Sequence, residues 1–260
     1  MGEETSRATN IEGLVTRQFG PQAGAYVESA VHAQGPDLEA LAAVLKRERP
    51  GRLLDLGCGG GHVSFTAAPF VGEVVAYDLS DDMLAAVAAE AKRRNIGNIV
   101  TAQGAAEALP FPDASFDAVA SRYSAHHWRS LQTALGEARR VLKPRGRALF
   151  MDVVAPEWPV ADTFLQALEL LRDPSHGRDF SRIEWEAHLA AAGFAVEEVK
   201  EHRLRLEFSS WVARIRTPQA HVDAIRSLQR GASGDVAKHF EIEPDGTFTL
   251  DTLTLVARAA

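Results

Sequence analysis

The sequence predicts an α/β protein, a mostly parallel sheet with helices on both faces and a helical cap above it. Three observations predict this. Five short apolar runs alternate with helical stretches between residues 52 and 154, the first run ends in a glycine-rich turn, and the regular alternation stops near residue 155.

Residues 11–49 carry apolar side chains at helical spacing, clearest in LEALAAVLKRER, and Pro50 with Gly51 stops that helix. RLLDLG (52–57) is the first strand, followed by glycines and the helix-like VSFTAAPF. EVVAYD (73–78) is the second, followed by DDMLAAVAAEAKRRN. NIVTAQG (98–104) and SFDAVAS (115–121) are the third and fourth. LQTALGEARRVL reads as a helix ended by Lys143, Pro144 and Gly146, and RALFMDVV (147–154) is the fifth strand. Beyond it come a helix at VADTFLQALELL, the polar linker DPSHGRDF, the helix SRIEWEAHLAAAG and the strand-like FAVEEVKEHRLRLEF. Residues 209–240 add helical sequence before TFTLDTLTLVARA closes as a long alternating strand. One domain over 1–260 is expected, with its core at about 50–155, 183–208 and 247–260 and its cap at about 1–49, 156–182 and 209–240. Such a cap would cover the carboxyl edge of the sheet, where open α/β sheets bind ligands.

Composition narrows the function classes. The 260 residues are 46% hydrophobic and 24% charged, as in soluble globular proteins. A net charge of -7 without a basic stripe argues against nucleic acid or anionic lipid as a partner. The single cysteine, Cys58, cannot form an intramolecular disulfide, which fits a reducing compartment. MGEETSRATN lacks the features of a secretory signal, and no apolar run is long enough to span a bilayer, so a cytoplasmic protein with no membrane partner is expected. Composition leaves the oligomeric state open.

The stretch LLDLGCGGGH (53–62) carries the first functional signal. Gly57, Gly59 and Gly61 let the chain turn tightly after a strand and approach a ligand closely; a plain tight turn is the alternative. A dinucleotide loop prefers G-x-G-x-x-G, whereas this loop is G-x-G-x-G with His62 where a final glycine would stand. Asp55, two residues before the first glycine, would repel a pyrophosphate but suits an ammonium group. Both features favour S-adenosylmethionine over a dinucleotide. Asp78, at the tip of the second strand, is placed to accept ribose hydroxyls, or to share a helix N-cap with Ser80. In QGAAEALPF (103–111), the small Ala105 and Ala106 would admit an adenine ring, with Glu107 nearby.

The succession DLGCGGG, AYDLS, QGAAEALPF, DASFDAVASRYSAHHW and RRVLKPRGRALFMD resembles the class I S-adenosylmethionine-dependent methyltransferases, in the ubiquinone/menaquinone-biosynthesis-like branch. RQFGPQAGAYVESAVHAQGPDL, LRDPSHGRDF and LEFSSWVARIRTP extend the likeness to a YafE-type bacterial group, and azapteridine N-methyltransferases of toxoflavin-type pathways look similar. The resemblance implies a Rossmann-like sheet of seven strands, the last antiparallel. It also implies cofactor contacts at Asp55, Gly57, Gly59, Asp78, Leu79, Met83, Ala106 and Glu107, with Cys58, Ala105 and Ser121 beside them. Arg145 departs from the family pattern, where a second glycine is common, and only local consequences are expected.

SRYSAHHW (121–128) leaves the fourth strand at the edge where the transferable methyl would lie. Arg122, His126 and His127 are candidates for the wall facing it, and either imidazole could take a proton from the acceptor, or pack on the cofactor or cap the helix near 130. Phe19, Tyr26, His32, Tyr123, His176, Arg178 and Trp211 are candidate substrate contacts, with core packing the alternative for Phe19, Tyr26 and above all Trp211. No metal is expected, because adjacent histidines diverge on a helix or strand and no clustered carboxylate accompanies these in the sequence. The acidic charge, the lack of an N/D-P-P-Y/F segment and the covered edge point to a small-molecule acceptor, planar or heteroaromatic, methylated at N, O or C. An NAD(P)-binding oxidoreductase and a non-catalytic cofactor-binding member of the fold are the alternatives.

Overall fold

The structure, a computed structural model, describes residues 10–20 and 34–260. Tyr26 and His32 lie outside the described residues. Helix α1 (Ile11–Phe19) is followed by α2 (Pro36–Glu48), β1 (Arg52–Leu56), α3 (His62–Ala67), β2 (Glu73–Asp78), α4 (Asp81–Arg93), β3 (Ile99–Gln103) and β4 (Phe116–Arg122). A 3-10 turn (Ala125–His127) leads to α5 (Leu131–Val141) and β5 (Leu142–Val153). Then come α6 (Pro159–Arg172), α7 (Arg182–Ala191), β6 (Phe194–Leu206), α8 (Phe208–Arg214), α9 (Gln219–Gly231), α10 (Gly234–His239) and β7 (Phe248–Ala259).

The seven strands form one sheet in the order β3-β2-β1-β4-β5-β7-β6, parallel except for β7, which runs antiparallel to both neighbours. Chain direction across the sheet reverses between β1 and β4: one series leads outward through β2 and β3, the other through β5. Loops leaving β1 and β4 therefore diverge and open a crevice at their carboxyl ends.

Alternation along the strands assigns the two faces. Leu54, Leu56, Val75, Val119, Phe150 and Leu255 pack with Leu131, Leu135 and Val141 of α5 and with Trp185 and Leu189 of α7. Leu53, Val74, Ala118, Leu149 and Met151 face the opposite way, onto Val63 and Ala67 of α3 and Leu38, Leu41 and Leu45 of α2. Helix α2, assigned above to the cap with the rest of 1–49, is thus a layer of the sheet. Its apolar stripe needed a partner, and the flat side-chain surface of β1, β4 and β5 supplies it.

A third core forms the cap. Leu165 and Leu168 of α6, Phe208, Trp211 and Val212 of α8, Ile225 of α9 and Val236 of α10 close over Leu206, Phe248 and Leu250. Each such side chain removed from water contributes roughly 1.5–3 kcal/mol. Helix α1 has no fully buried residue and is tied to this layer by Gln18 Nε2, which donates to the Ile215 carbonyl at 3.1 Å. No helix among the described residues is long and apolar enough to cross a membrane.

Candidate active site

A cavity of about 260 Å³ lies at the carboxyl ends of β1, β2 and β4, between α1 and the cap. One end is built by the glycine loop. Gly57 sits at φ +72°, and a Cβ there would collide with the Ser124 hydroxyl and lie 2.7 Å from Ser124 Cβ. The backbone N–H groups of Gly57 and Cys58 both donate to the Tyr77 carbonyl, at 2.8 and 2.9 Å, so the loop is pinned to β2. The Asp78 carboxylate accepts from Gly59 N at 2.8 Å and Ser80 N at 2.9 Å, one on each oxygen, which leaves each oxygen further acceptor capacity. Ser80 is itself the N-cap of α4, and this cap leaves the Asp78 carboxylate its further acceptor capacity.

Asp55 is 1% exposed. Its Oδ2 accepts from Ser64 N at 2.9 Å and Ser64 Oγ at 2.6 Å, whereas Oδ1 has no partner although it is buried. Burial pushes the carboxyl up to about 7, against the pull of the Ser64 hydrogen bonds and with help from the Asp78 charge. A positively charged donor reaching Oδ1 would satisfy the orphaned atom and return the group to its ionised form. These features fit the cofactor: an ammonium at Asp55, hydroxyls at Asp78, and open space at Gly59, where a Cβ would meet nothing within 4 Å.

Leu79, Met83, Gly104, Ala106 and Glu107 also line the cavity, as does Cys58, whose thiol burial raises well above the usual range. Glu107 accepts from Ser130 N at 3.1 Å. Two nominated residues are placed elsewhere. Ala105 turns its carbonyl to the Tyr77 hydroxyl at 3.1 Å and does not line the cavity. Ser121 is buried within β4 with its hydroxyl unpartnered and also does not line it, because alternation points it into the sheet face.

At the other end, Tyr123 turns the chain out of β4 at φ +50°, and the 3-10 turn that follows presents His126 and His127. Their rings do not diverge: the tight turn brings the centroids to 4.2 Å. Asp152 organises this turn, accepting from Ala125 N at 2.9 Å, Val153 N at 2.9 Å and His126 Nδ1 at 2.7 Å. Burial works against a charge on His126, but Asp152, with Asp179 and Glu169 behind it, outweighs burial and pushes the imidazole up to about 9. His127 is driven the other way by burial and by the charge on His126. Its Nδ1 donates to the Ser175 carbonyl at 3.1 Å, which leaves Nε2 with a free lone pair, 3.9 Å from Asp173 Oδ2. Phe19 meets the His127 ring edge-on at 5.1 Å.

The linker 173–180 wraps this turn. Gly177 N and Arg178 N donate to the His126 carbonyl at 2.8 and 3.3 Å. His176 and Arg178 are consumed in holding it, contrary to their nomination as substrate contacts. His176 Nε2 donates to Gln166 Oε1 at 2.9 Å, and Arg178 forks between Asp162 and Glu184; neither lines the cavity. Phe19, Tyr123 and Trp211 do line it, although Trp211 also fills the cap, edge-on to Phe248 at 4.9 Å. Arg122 reaches the cavity wall too, but its guanidinium is paired with buried Asp37 and stacked on the Tyr123 ring at 4.6 Å. It holds α2 to β4 rather than standing as an open cation.

Sequence reasoning missed Asp37, Asp152, Glu169, Arg172 and Asp179. The premise that no carboxylate accompanies the histidines also fails: His126, Asp152 and Asp179 bring ligand-type atoms within 4.8 Å of one another. A lone acid inside the apolar strand RALFMDVV was a usable signal for Asp152, since such a residue is buried only when partnered.

Comparison with known proteins agrees with this geometry. A family model described as a methyltransferase domain matches residues 54–150. The uncharacterised protein YafE of Escherichia coli K12 is 50% identical over 204 residues, 78% of this chain and 99% of that protein. The ubiquinone/menaquinone biosynthesis C-methyltransferase of Methylobacterium nodulans is 38% identical over 133 residues, 49% of this chain and 53% of that protein. The crystal structure of YcgJ from Bacillus subtilis superimposes with a TM-score of 0.82 at 33% identity, covering 85% of this chain and 97% of that one. The uncharacterised methyltransferase YcgJ of Bacillus subtilis is 38% identical over 200 residues, 77% of this chain and 79% of that protein. With the methyltransferase-domain match, this removes the oxidoreductase alternative, and the chain belongs to the class I S-adenosylmethionine-dependent methyltransferases.

Proposed function

We propose that this protein transfers a methyl group from S-adenosylmethionine to a small, planar or heteroaromatic molecule at N, O or C. The observation that carries the reading is one cavity with two unlike ends: Asp55, Gly57 and Asp78 at the first, His126, His127, Tyr123 and Phe19 at the second. When bound, the cofactor supplies an electrophilic methyl and its own leaving group, so the protein's part is alignment and exclusion of water.

Asp55 and Asp78 hold the two polar parts of the cofactor, and the slot between Met83, Leu79 and Ala106 takes its flat ring. The aromatic edges of Phe19 and Tyr123 suit a flat acceptor. For an acceptor that sheds a proton, His127 is the base. Its Nε2 lone pair is held by the Ser175 hydrogen bond at Nδ1, and Asp173, 3.9 Å from Nε2, favours the imidazolium against the stronger opposing pull of burial and the His126 charge. The ubiquinone/menaquinone relative acts, by its name, in quinone biosynthesis at carbon, which supports a flat acceptor and leaves all three atoms in play.

Calorimetry with S-adenosylhomocysteine tests the reading. Wild type is expected to bind, and Gly57→Val combined with Asp78→Ala is expected to lose at least a hundredfold in affinity. No binding by wild type, or equal binding by the variant, refutes it. Incubating the enzyme with cell extract and cofactor and screening for one-methyl mass gains then identifies the acceptor.

A further inference from the structure

Among the described residues, the buried side-chain polar atoms without a partner belong to Asp55, Ser121, Asp179, Trp185, His239 and Arg258, and of these only Asp55 and Asp179 line the cavity. Asp55 Oδ1 awaits the cofactor's ammonium. Asp179 Oδ2 is the same signature at the opposite, histidine end.

The Asp179 backbone is firmly placed: its N–H donates to Gln166 Oε1 at 3.1 Å and its carbonyl accepts from Gln166 Nε2 at 2.8 Å. Its carboxyl is not satisfied. Oδ1 lies 4.0 Å from His126 Nδ1, whose hydrogen is given to Asp152, and Oδ2 lies 3.9 Å from His176 Nε2, whose hydrogen is given to Gln166. The side chain is 1% exposed. A buried polar atom left in this way costs about 1–3 kcal/mol until something supplies a partner.

Among the described residues, none of the groups packed around it is hydrogen-bonded to Oδ2. Asp152, Glu169, Asp173 and Asp179 are all buried, and the cations among them are His126 and Arg172. Arg178 stands outside, held by Asp162 and Glu184. Glu169 also lines the cavity, and the Arg172 guanidinium stands 3.7 Å from it. Burial raises the Glu169 carboxyl above the usual carboxylate range and Asp179 well above it, and a positively charged donor arriving there would favour the ionised form of both.

We infer that the acceptor molecule carries a basic or N–H-rich group, an amine, amidine or protonated ring nitrogen, which it presents to Asp179 with Glu169 alongside. This rests on the methyl-transfer reading and narrows its substrate class. A metal ion is the competing way to satisfy Asp179, through the set His126, Asp152 and Asp179. A metal there would have to break the 2.7 Å hydrogen bond between His126 Nδ1 and Asp152 Oδ1 and displace its proton.

The test uses the full chain saturated with S-adenosylhomocysteine, whose own binding is scored first, so that failure of the cofactor reading is seen separately. Benzamidine and benzylamine are then titrated against their neutral isosteres benzamide and benzyl alcohol. The expected result is at least tenfold tighter binding of the cations, a preference lost in Asp179→Asn while S-adenosylhomocysteine affinity stays within twofold. If that variant fails to bind S-adenosylhomocysteine, Glu169→Gln replaces it, with the same expected loss. The inference is overturned by no cation preference in wild type, by a preference that survives substitution, or by a stoichiometric divalent metal in the purified protein that a chelator removes together with the effect.

Discussion

The proposed role of Asp55 at the cofactor's ammonium predicts that cofactor affinity depends on pH. Its unliganded carboxyl sits at about 7 because burial outweighs the two Ser64 hydrogen bonds, and its Oδ1 lacks a donor. The folded value lies above the unfolded one, so this group's contribution to the stability of the unliganded fold is complete below about pH 4 and is lost as pH rises through about 7. Binding an ammonium requires the ionised form and reverses the direction. The ionised fraction rises from roughly one-tenth at pH 6 to nine-tenths at pH 8, so S-adenosylhomocysteine should bind about tenfold tighter at pH 8. Binding at pH 6 should also release close to one proton, measured by calorimetry in buffers of different ionisation enthalpy. Asp55→Asn controls for titration of the ligand itself: it should release no proton, keep one affinity from pH 6 to 8, and bind more weakly than wild type by a margin that widens about tenfold toward pH 8. A wild-type affinity flat within twofold from pH 6 to 8, or the same slope in Asp55→Asn, refutes the assignment.

Three other outcomes follow from single contacts. Asp152→Asn should bring the His126 imidazole, observed by NMR, from about 9 back toward neutral pH. Because His126 is raised on folding, its contribution is complete below about pH 6.5 and lost as pH rises through about 9; the urea midpoint should fall between pH 7 and 10 in wild type and fall less in the variant. Arg122→Ala would leave Asp37 buried without its partner and should cost about 3–5 kcal/mol in denaturant unfolding. Arg145 is exposed and stands at φ +62°, where a side chain costs about 1–2 kcal/mol, so Arg145→Gly should raise the melting temperature by about 2 °C.

The strands and the glycine turn were legible because they depend on local rules. EVVAYD and β2 share their bounds, and the turn at Gly57 needs glycine whatever lies around it. Arg145, noted for its departure from the family, proves to occupy the left-handed conformation that a glycine takes freely. Helix α2 was recognised as a helix but given the wrong neighbour, since periodicity says which face is apolar and not what covers it. The histidine end depends on pairs far apart in sequence: Asp37 with Arg122 across 85 residues, His126 with Asp152 across 26, His127 with Ser175 across 48. In the linker, His176, Arg178 and Asp179 are equally polar, and no local pattern separates them. Tertiary donors do: His176 and Arg178 find partners in α6 and α7, whereas Asp179 is carried to the cavity with its Oδ2 left without a hydrogen-bond partner. The functional distinction therefore lies in which polar atoms the finished fold leaves unpaired, a property of the packed chain rather than of any segment.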